Sequence, residues 1–333
     1  MSNPVLVHTY RGDLVETRHR GAVAVCDPAG RIVESWGDID ALVYPRSAVK
    51  ALQALPLVES GAADHFNLSQ AELALACSSH SGEVVHTDSV SQWLQRIGLD
   101  GDHLECGAHM PYHKDTADGM LREQRNPCRI HNNCSGKHSG MLTTSQYLGE
   151  TLQGYIDREH PAQQRWFDSL GQMAGVDLRA QPWSRDGCGI PVIAMPLRSI
   201  ATAFARFAVP DDLAQPRAEA VDRLAAAIAA NPYMVAGSER LCTKIMELTG
   251  RRVMVKTGAD GVYTAALPQL RLGIALKIDD GLGEAAQVAL LETLIRIGAL
   301  HEDELEALTH NSRMPITNTI GIVTGHRQAS CSW

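Results

Sequence analysis

The sequence predicts an α+β fold in which one antiparallel sheet is assembled from both ends of the chain and the central block is helical. Three observations carry that expectation. The first 36 residues alternate and are rich in β-branched types, the stretch from about 45 to 249 has helical spacing, and strand-like runs return after residue 250. Strands grouped at the two ends exclude a repeating βαβ pattern, and with it a parallel doubly wound sheet.

Taken in order, "PVLVHTY", "DLVETRHR", "GAVAVCD" and "RIVESW" read as the strands of an antiparallel hairpin or meander, with "PAG" turning between the last two. Helices follow in "SAVKALQAL", "SQAELALACSS", "VVHTDSVSQWLQRIG", "KHSGMLTTSQYLG", "PAQQRWFDSLGQMAG", "MPLRSIATAFARFA", "RAEAVDRLAAAIAA" and "SERLCTKIMELTG". Several of them end on glycine, the usual helix stop. "RRVMVKTG", "GVYTAALP" and "RLGIALKI" are strands again, and the amphipathic "GEAAQVALLETLIRIGAL" is a helix that would back the sheet. The expected organisation is a sheet lobe of residues 1–40 plus 250–333 and a helical lobe of 41–249, forming one cooperative unit with the active site in the cleft. No internal repeat or low-complexity run interrupts it.

Composition narrows the function classes. The formal charge of -8 and pI near 5.9 would repel phosphate backbones, so nucleic acid is not an expected partner. No apolar run approaches the length needed to cross a bilayer, and the first residues lack a signal-peptide pattern, so a cytoplasmic protein with no membrane partner is expected. The eight cysteines do not read as a disulfide framework in a chain of 333 residues. Arginine outnumbers lysine by 24 to 6, and three of those lysines fall in motifs.

The first motif is "YPRSAVKALQALPL", where Ser47 stands three positions before Lys50, one helical turn away. A lysine whose proton is destabilised by burial or by nearby charge can activate a serine, and Arg46 beside the pair offers a fork for a carboxylate. The alternative is a helix start capped by Ser47 with Lys50 in solvent. "VKTG" carries Lys256 at the end of a strand, and an SxxK helix with a later Lys-Thr-Gly strand is part of the signature of serine β-lactamases and penicillin-binding proteins. "CSSHSGE", with Ser78, Ser79 and Ser81, can supply a second serine to a proton relay, or be an ordinary capped helix end. "HNNCSGKHSG" and "SRDGCGIP" place Cys134, Lys137, His138 and Cys188 among glycines, which is compatible with a soft-metal site, with structural loops, or with Cys134 as a nucleophile served by His138.

Together these stretches, with "LVHTYRGDLVETRHRGAVAV" and "VKTGADGVY", resemble the asparaginase II family, the rhizobial-type L-asparaginases, over nearly the whole chain. The resemblance implies a serine β-lactamase-like fold and hydrolysis of L-asparagine to L-aspartate and ammonia. It implies Ser47 with Lys50 as the SxxK pair, Ser79 as the second active serine and Lys256 as the lysine of the later strand. Zn2+ would be bound through Cys134, Lys137 and Cys188, and Arg46, Asp186 and His138 would meet the substrate. Family members also tend to form homodimers.

The chemistry is consistent with those roles. Asparagine is zwitterionic, so a site for it needs an anion and a cation close together, which "RDG" and "PRS" provide. Two alternatives stand beside this reading: a glutaminase or other serine amidohydrolase of the same fold, since one methylene changes binding by only about 1 to 3 kcal/mol, and a zinc-binding regulatory protein without turnover.

Overall fold

The computed structural model describes residues 2–331 and 333. The chain divides into two compact units, a sheet unit comprising the residues up to Ala48, Ala194–Val209 and the chain from Leu248 onward, and a helical unit of Val49–Ile193 and Pro210–Glu247.

In the sheet unit the main sheet has strands β1 (Val5–Arg11), β2 (Leu14–Cys26), β3 (Ile32–Trp36), β4 (Met254–Thr257), β5 (Val262–Leu267), β6 (Leu272–Ile278), β7 (Arg313–Thr317) and β8 (Val323–Ala329). Their order is β7-β8-β1-β2-β6-β5-β4, with β3 also paired to β2, and every pairing is antiparallel. This is the α+β arrangement with a sheet from both chain ends.

The alternation of the first 36 residues marks β1, β2 and β3, with one difference. "DLVETRHR" and "GAVAVCD" form a single strand of 13 residues, because Gly21 does not end it. A Cβ at Gly21 would meet Lys277 O at 2.4 Å, so glycine there admits the close approach of β6 rather than a turn. The N-terminal half of β2 pairs with β1, and Gly21–Cys26 pairs with β6. β5 is buried at every position, which requires cover on both faces. Helix Leu197–Ala208 packs on β2, β5 and β6, and helix Gly283–Arg296 packs on β1, β5, β6 and β8. Gly273 of β6 is the point of closest approach to the first of these, where a Cβ would lie 2.1 Å from both Ala201 O and Ala205 N.

Helix Glu302–Ser312 and the β7/β8 hairpin carry no clear signal in the sequence. β7 is an edge strand and contains Pro315, which an edge tolerates and which hides the strand from a propensity reading.

In the helical unit, helix Gln70–Ala76 starts from a reciprocal cap between Ser69 and Glu72. Helix Pro161–Ala174 ends on Gly175 in the left-handed conformation. Helix Ser135–Tyr147 is buried at every residue from Ser135 to Ser145, although it is rich in Ser, Thr and Gly. Its hydroxyls make this possible by bonding back one turn: Ser139, Thr143 and Thr144 donate to the carbonyls of Ser135, Ser139 and Gly140. Small residues also let backbones touch, since a Cβ at Gly136 would meet Leu75 O at 2.2 Å. This helix carries Lys137 and His138 into the interior.

Candidate active site

Lys50 begins the short helix Lys50–Gln53, which follows a 3-10 turn over Arg46–Val49. Its side chain is 1% exposed. Burying an ammonium is costly unless its donors are used, and here all three are. Lys50 Nζ donates to Ser78 O at 2.6 Å, to Ser79 Oγ at 3.0 Å and to Cys134 Sγ at 3.1 Å.

Ser79 sits on the loop that leaves helix Gln70–Ala76, and its N–H donates to Val235 O at 2.9 Å. The next residue, His80, is fully buried. Its Nδ1 accepts from Gly82 N–H at 3.1 Å, which leaves the proton on Nε2 for Ser135 Oγ at 2.9 Å, while Ser135 passes its own proton to Ile130 O. Burial, and then the neighbouring His86 and Lys50, hold His80 well below the ordinary histidine range, so it is a neutral brace for the loop.

A second cluster adjoins the first through Cys134. Lys137 Nζ donates to Cys188 Sγ at 3.0 Å, and Asp186 Oδ2 lies 3.7 Å from the same sulfur. The hydrogen bond from Cys134 is the largest influence on Cys188, pulling it down to about 5 against the opposing effect of burial, with the Lys137 charge adding to the pull. The same bond, and then burial, push Cys134 up to about 12. Burial acts to lower Lys137, but the charges of Cys134, Cys188 and Asp186 outweigh it and raise the amine. These directions favour the thiolate at Cys188, the thiol at Cys134 and the charged amine at Lys137.

Among the described residues no group of three or more His, Cys, Asp and Glu side chains is placed to hold a metal ion. The Cys134, Lys137 and Cys188 set nevertheless offers two sulfurs and a nitrogen, both Cys134 and Lys137 bonding to Cys188, and these are donors that suit zinc once the amine has lost its proton.

His138 is fully buried beside Lys137, and burial followed by the Lys137 charge lowers it to about 3. Its Nδ1 is 2.6 Å from Tyr155 Oη, which in turn accepts Glu105 N–H at 2.8 Å, and its Nε2 has no partner among the described residues.

The other three candidates belong to the sheet unit. Ser47 lies in the 3-10 turn and Lys256 on β4, where it is 5% exposed and donates to Thr257 O at 2.9 Å. The Lys-Thr-Gly segment packs against the serine's turn. A Cβ on Gly258 would meet Pro45 O at 2.7 Å and Ala48 Cβ at 3.3 Å, and Thr264 Oγ1 donates to Ala48 O at 3.2 Å. Arg46, immediately before Ser47, has φ +52 and is ion-paired with Asp260, which is itself at φ +55. Two non-glycine residues in the left-handed region, facing each other, are strained backbone of the kind functional sites retain.

A family model described as L-asparaginase II matches residues 7–329. The chain belongs to the L-asparaginase II family. A search of curated proteins finds no match. Solved structures to which this asparaginase II chain is similar include a protein designated Mglu in its native form, at 14% identity and a TM-score of 0.48, over 85% of this chain and 65% of that one. A β-lactamase from Mycobacterium bovis aligns at 15% identity and a TM-score of 0.44, over 84% of this chain and 95% of that one. D-alanine carboxypeptidase AmpC from Burkholderia cenocepacia aligns at 14% and 0.41, over 84% and 93%. Family membership supports an amidohydrolase, and among the described residues no helix is long and apolar enough to cross a membrane.

Sequence reasoning did not single out Tyr155, Glu105 or Glu83, or the 233–238 segment that supplies Val235, Tyr233 and Ser238 to the serine loop. Only the segment "CSSHSGE" pointed to Glu83, and nothing local marks the others.

Proposed function

We propose that this L-asparaginase II family member hydrolyses the side-chain amide of L-asparagine to L-aspartate and ammonia through an acylated serine. The observation that carries the reading is the buried Lys50 amine bonded to Ser79 Oγ at 3.0 Å, a base in contact with a nucleophile. Lys50, an ammonium at rest, must first give one proton to solvent; as the serine oxygen then adds to the amide carbon, its proton passes to the neutral lysine nitrogen. The oxyanion that forms is met by N–H donors, the lysine returns the proton to the leaving nitrogen, and the C–N bond breaks to release ammonia. Water then cleaves the ester and restores the serine. Ser47 and Lys256 are the second serine and lysine of this scheme, on the packed contact between the Ser47 turn and β4.

Arg46 is assigned to the substrate carboxylate and Asp186 to its ammonium, with His138 at the same end. Zinc would be held by Cys134, Lys137 and Cys188, and when bound it would order the loop of Asp186 rather than generate hydroxide, since two thiolates nearly neutralise the ion. Cytoplasmic residence and a homodimer remain parts of this proposal.

The test is ammonia release by the purified protein from L-asparagine, with L-glutamine in parallel. Release from asparagine well above that from glutamine supports the reading. Preferential release from glutamine would replace it with a glutaminase, and no release from either amide would remove the activity.

A further inference from the structure

The loop that presents Ser79 ends at Glu83, a carboxylate that is 8% exposed and has no part in the chemistry above. It receives an unusual number of donors. Ser81 Oγ–H and Ser238 N–H both donate to Oε1, the latter at 2.9 Å, and Tyr233 Oη–H and Ser238 Oγ–H donate to Oε2 at 2.7 and 2.9 Å. Three of these four come from helix Pro232–Ala236, which holds Tyr233, and the turn after it, which holds Ser238, about 150 residues away along the chain. The same segment accepts the Ser79 N–H through Val235 O at 2.9 Å.

The fit is specific to this pair of segments. Gly237 has φ +106, and a Cβ there would lie 1.9 Å from Ser81 Oγ and 2.6 Å from Glu83 Oε1, so only glycine lets the backbone come close enough for the bonds to form. Ser78 O and Ser79 Oγ, at the other end of the loop, are the two oxygens on which Lys50 Nζ rests. A loop pinned at Ser79 N, Ser81 Oγ and Glu83 has little freedom to let Ser79 Oγ drift from the amine.

We propose that Glu83 is a positioning residue for Ser79, a carboxylate clamp that locks the 78–83 loop onto the 233–238 segment and so fixes the distance between Ser79 Oγ and Lys50 Nζ. The proposal rests on the reading of Ser79 as a reacting serine. It predicts that loss of the clamp impairs the serine's reactivity much more than substrate binding or folding. A carboxamide at the same position cannot replace it, because its NH2 end would face donors.

The experiment uses the full chain and a fluorophosphonate, which phosphonylates an activated serine with loss of fluoride and does not depend on the amide substrate. Labelling of the Ser79 peptide is followed by mass spectrometry in the unaltered protein, in Glu83→Gln and in Tyr233→Phe. Thermal midpoint and near-ultraviolet circular dichroism serve as folding controls. Glu83→Gln is expected to slow Ser79 labelling by about tenfold or more, in keeping with the cost of small misplacements in active sites, and to lower kcat for asparagine in parallel with KM little changed. Tyr233→Phe keeps the charge and removes one donor, so it should slow labelling by a smaller factor in protein that melts within a few degrees of normal; it decides the matter where the glutamine variant does not fold. Equal labelling rates in folded variants overturn the clamp and leave the serine's role intact. No labelling of Ser79 in the unaltered protein overturns the reactive-serine reading and the clamp with it.

Discussion

Lys50 Nζ donates to Cys134 Sγ across 3.1 Å, and this one bond joins the amine that holds Ser79 Oγ to the thiol cluster of Cys134, Cys188 and Lys137. A change on either side is therefore felt on the other. The Lys50→Met variant keeps the apolar stem and removes all three donors, so kcat is expected to fall by about a hundredfold or more, the usual loss with a general base. Steady-state kinetics on folded protein checks this, and near-normal turnover would sink the role given to Lys50.

Ser47→Ala and Ser79→Ala are each expected to lower kcat by about a hundredfold or more. Acid quenching during turnover, followed by peptide mapping, then shows which side chain carries the acyl group. The contact between Lys50 and Ser79 Oγ predicts an adduct on Ser79. An adduct on Ser47 alone would reverse the roles of the two serines.

Metal content is the third expectation: about one zinc per chain by elemental analysis, lost when Cys134→Ser is combined with Cys188→Ser. Activity of the double variant does not report on the metal, because removing the Cys134 sulfur also strips a partner from Lys50. Native protein without metal but with full turnover would take zinc out of the scheme.

Glu83 gives a signed prediction for stability against pH. Burial acts to raise its carboxyl, yet the donors from Ser81, Tyr233 and Ser238 prevail and hold it at about 2, below the ordinary value of 4.5. Because the folded value is the lower one, the stabilisation is complete above about 4.5 and is lost as pH falls toward about 2. His113 Nε2, 4.0 Å from Oε2, acts in the same direction when charged. Urea midpoints measured between pH 6 and pH 3 should fall more steeply in the unaltered protein than in Glu83→Gln. Parallel curves would show that the carboxylate is not held ionised by its donors.

Gly258→Ala tests the contact between β4 and the Ser47 turn. The added methyl would press on Pro45 O at 2.7 Å, and the expected outcome is a loss of about 1–3 kcal/mol in urea unfolding together with reduced kcat. An alanine variant with unaltered kcat would mean that the turn tolerates displacement.

Much of this was open to reading from the sequence, for physical reasons that differ between elements. Alternation reveals β1 and β2, short apolar β-branched runs reveal β5 and β6, which are buried on both faces, and glycine-terminated amphipathic runs reveal helices such as Pro161–Ala174. β7 and β8 are half exposed and broken by Pro315 and Gly325, so no period survives. Lys50 is visible through its spacing to Ser47, whereas its bond to Ser79 depends on a loop that returns 29 residues later. Glu83 lies inside a conspicuous segment, but its meaning comes from Tyr233 and Ser238, and no local pattern reports a partner that distant.

The pairing of β2 with β6 sets a timetable for synthesis. Cys26 finds its partner in Gly273, so at ordinary ribosomal rates the apolar run Ala22–Cys26 waits roughly ten to fifty seconds for the opposite strand to be made. The helical unit is finished at Glu247, before β4 begins, and its core can close while the sheet is still open. The nascent chain thus passes through a stage in which an assembled helical core coexists with a half-built sheet, and in that interval the exposed edge of β2 is where a chaperone, or another nascent chain, would find it.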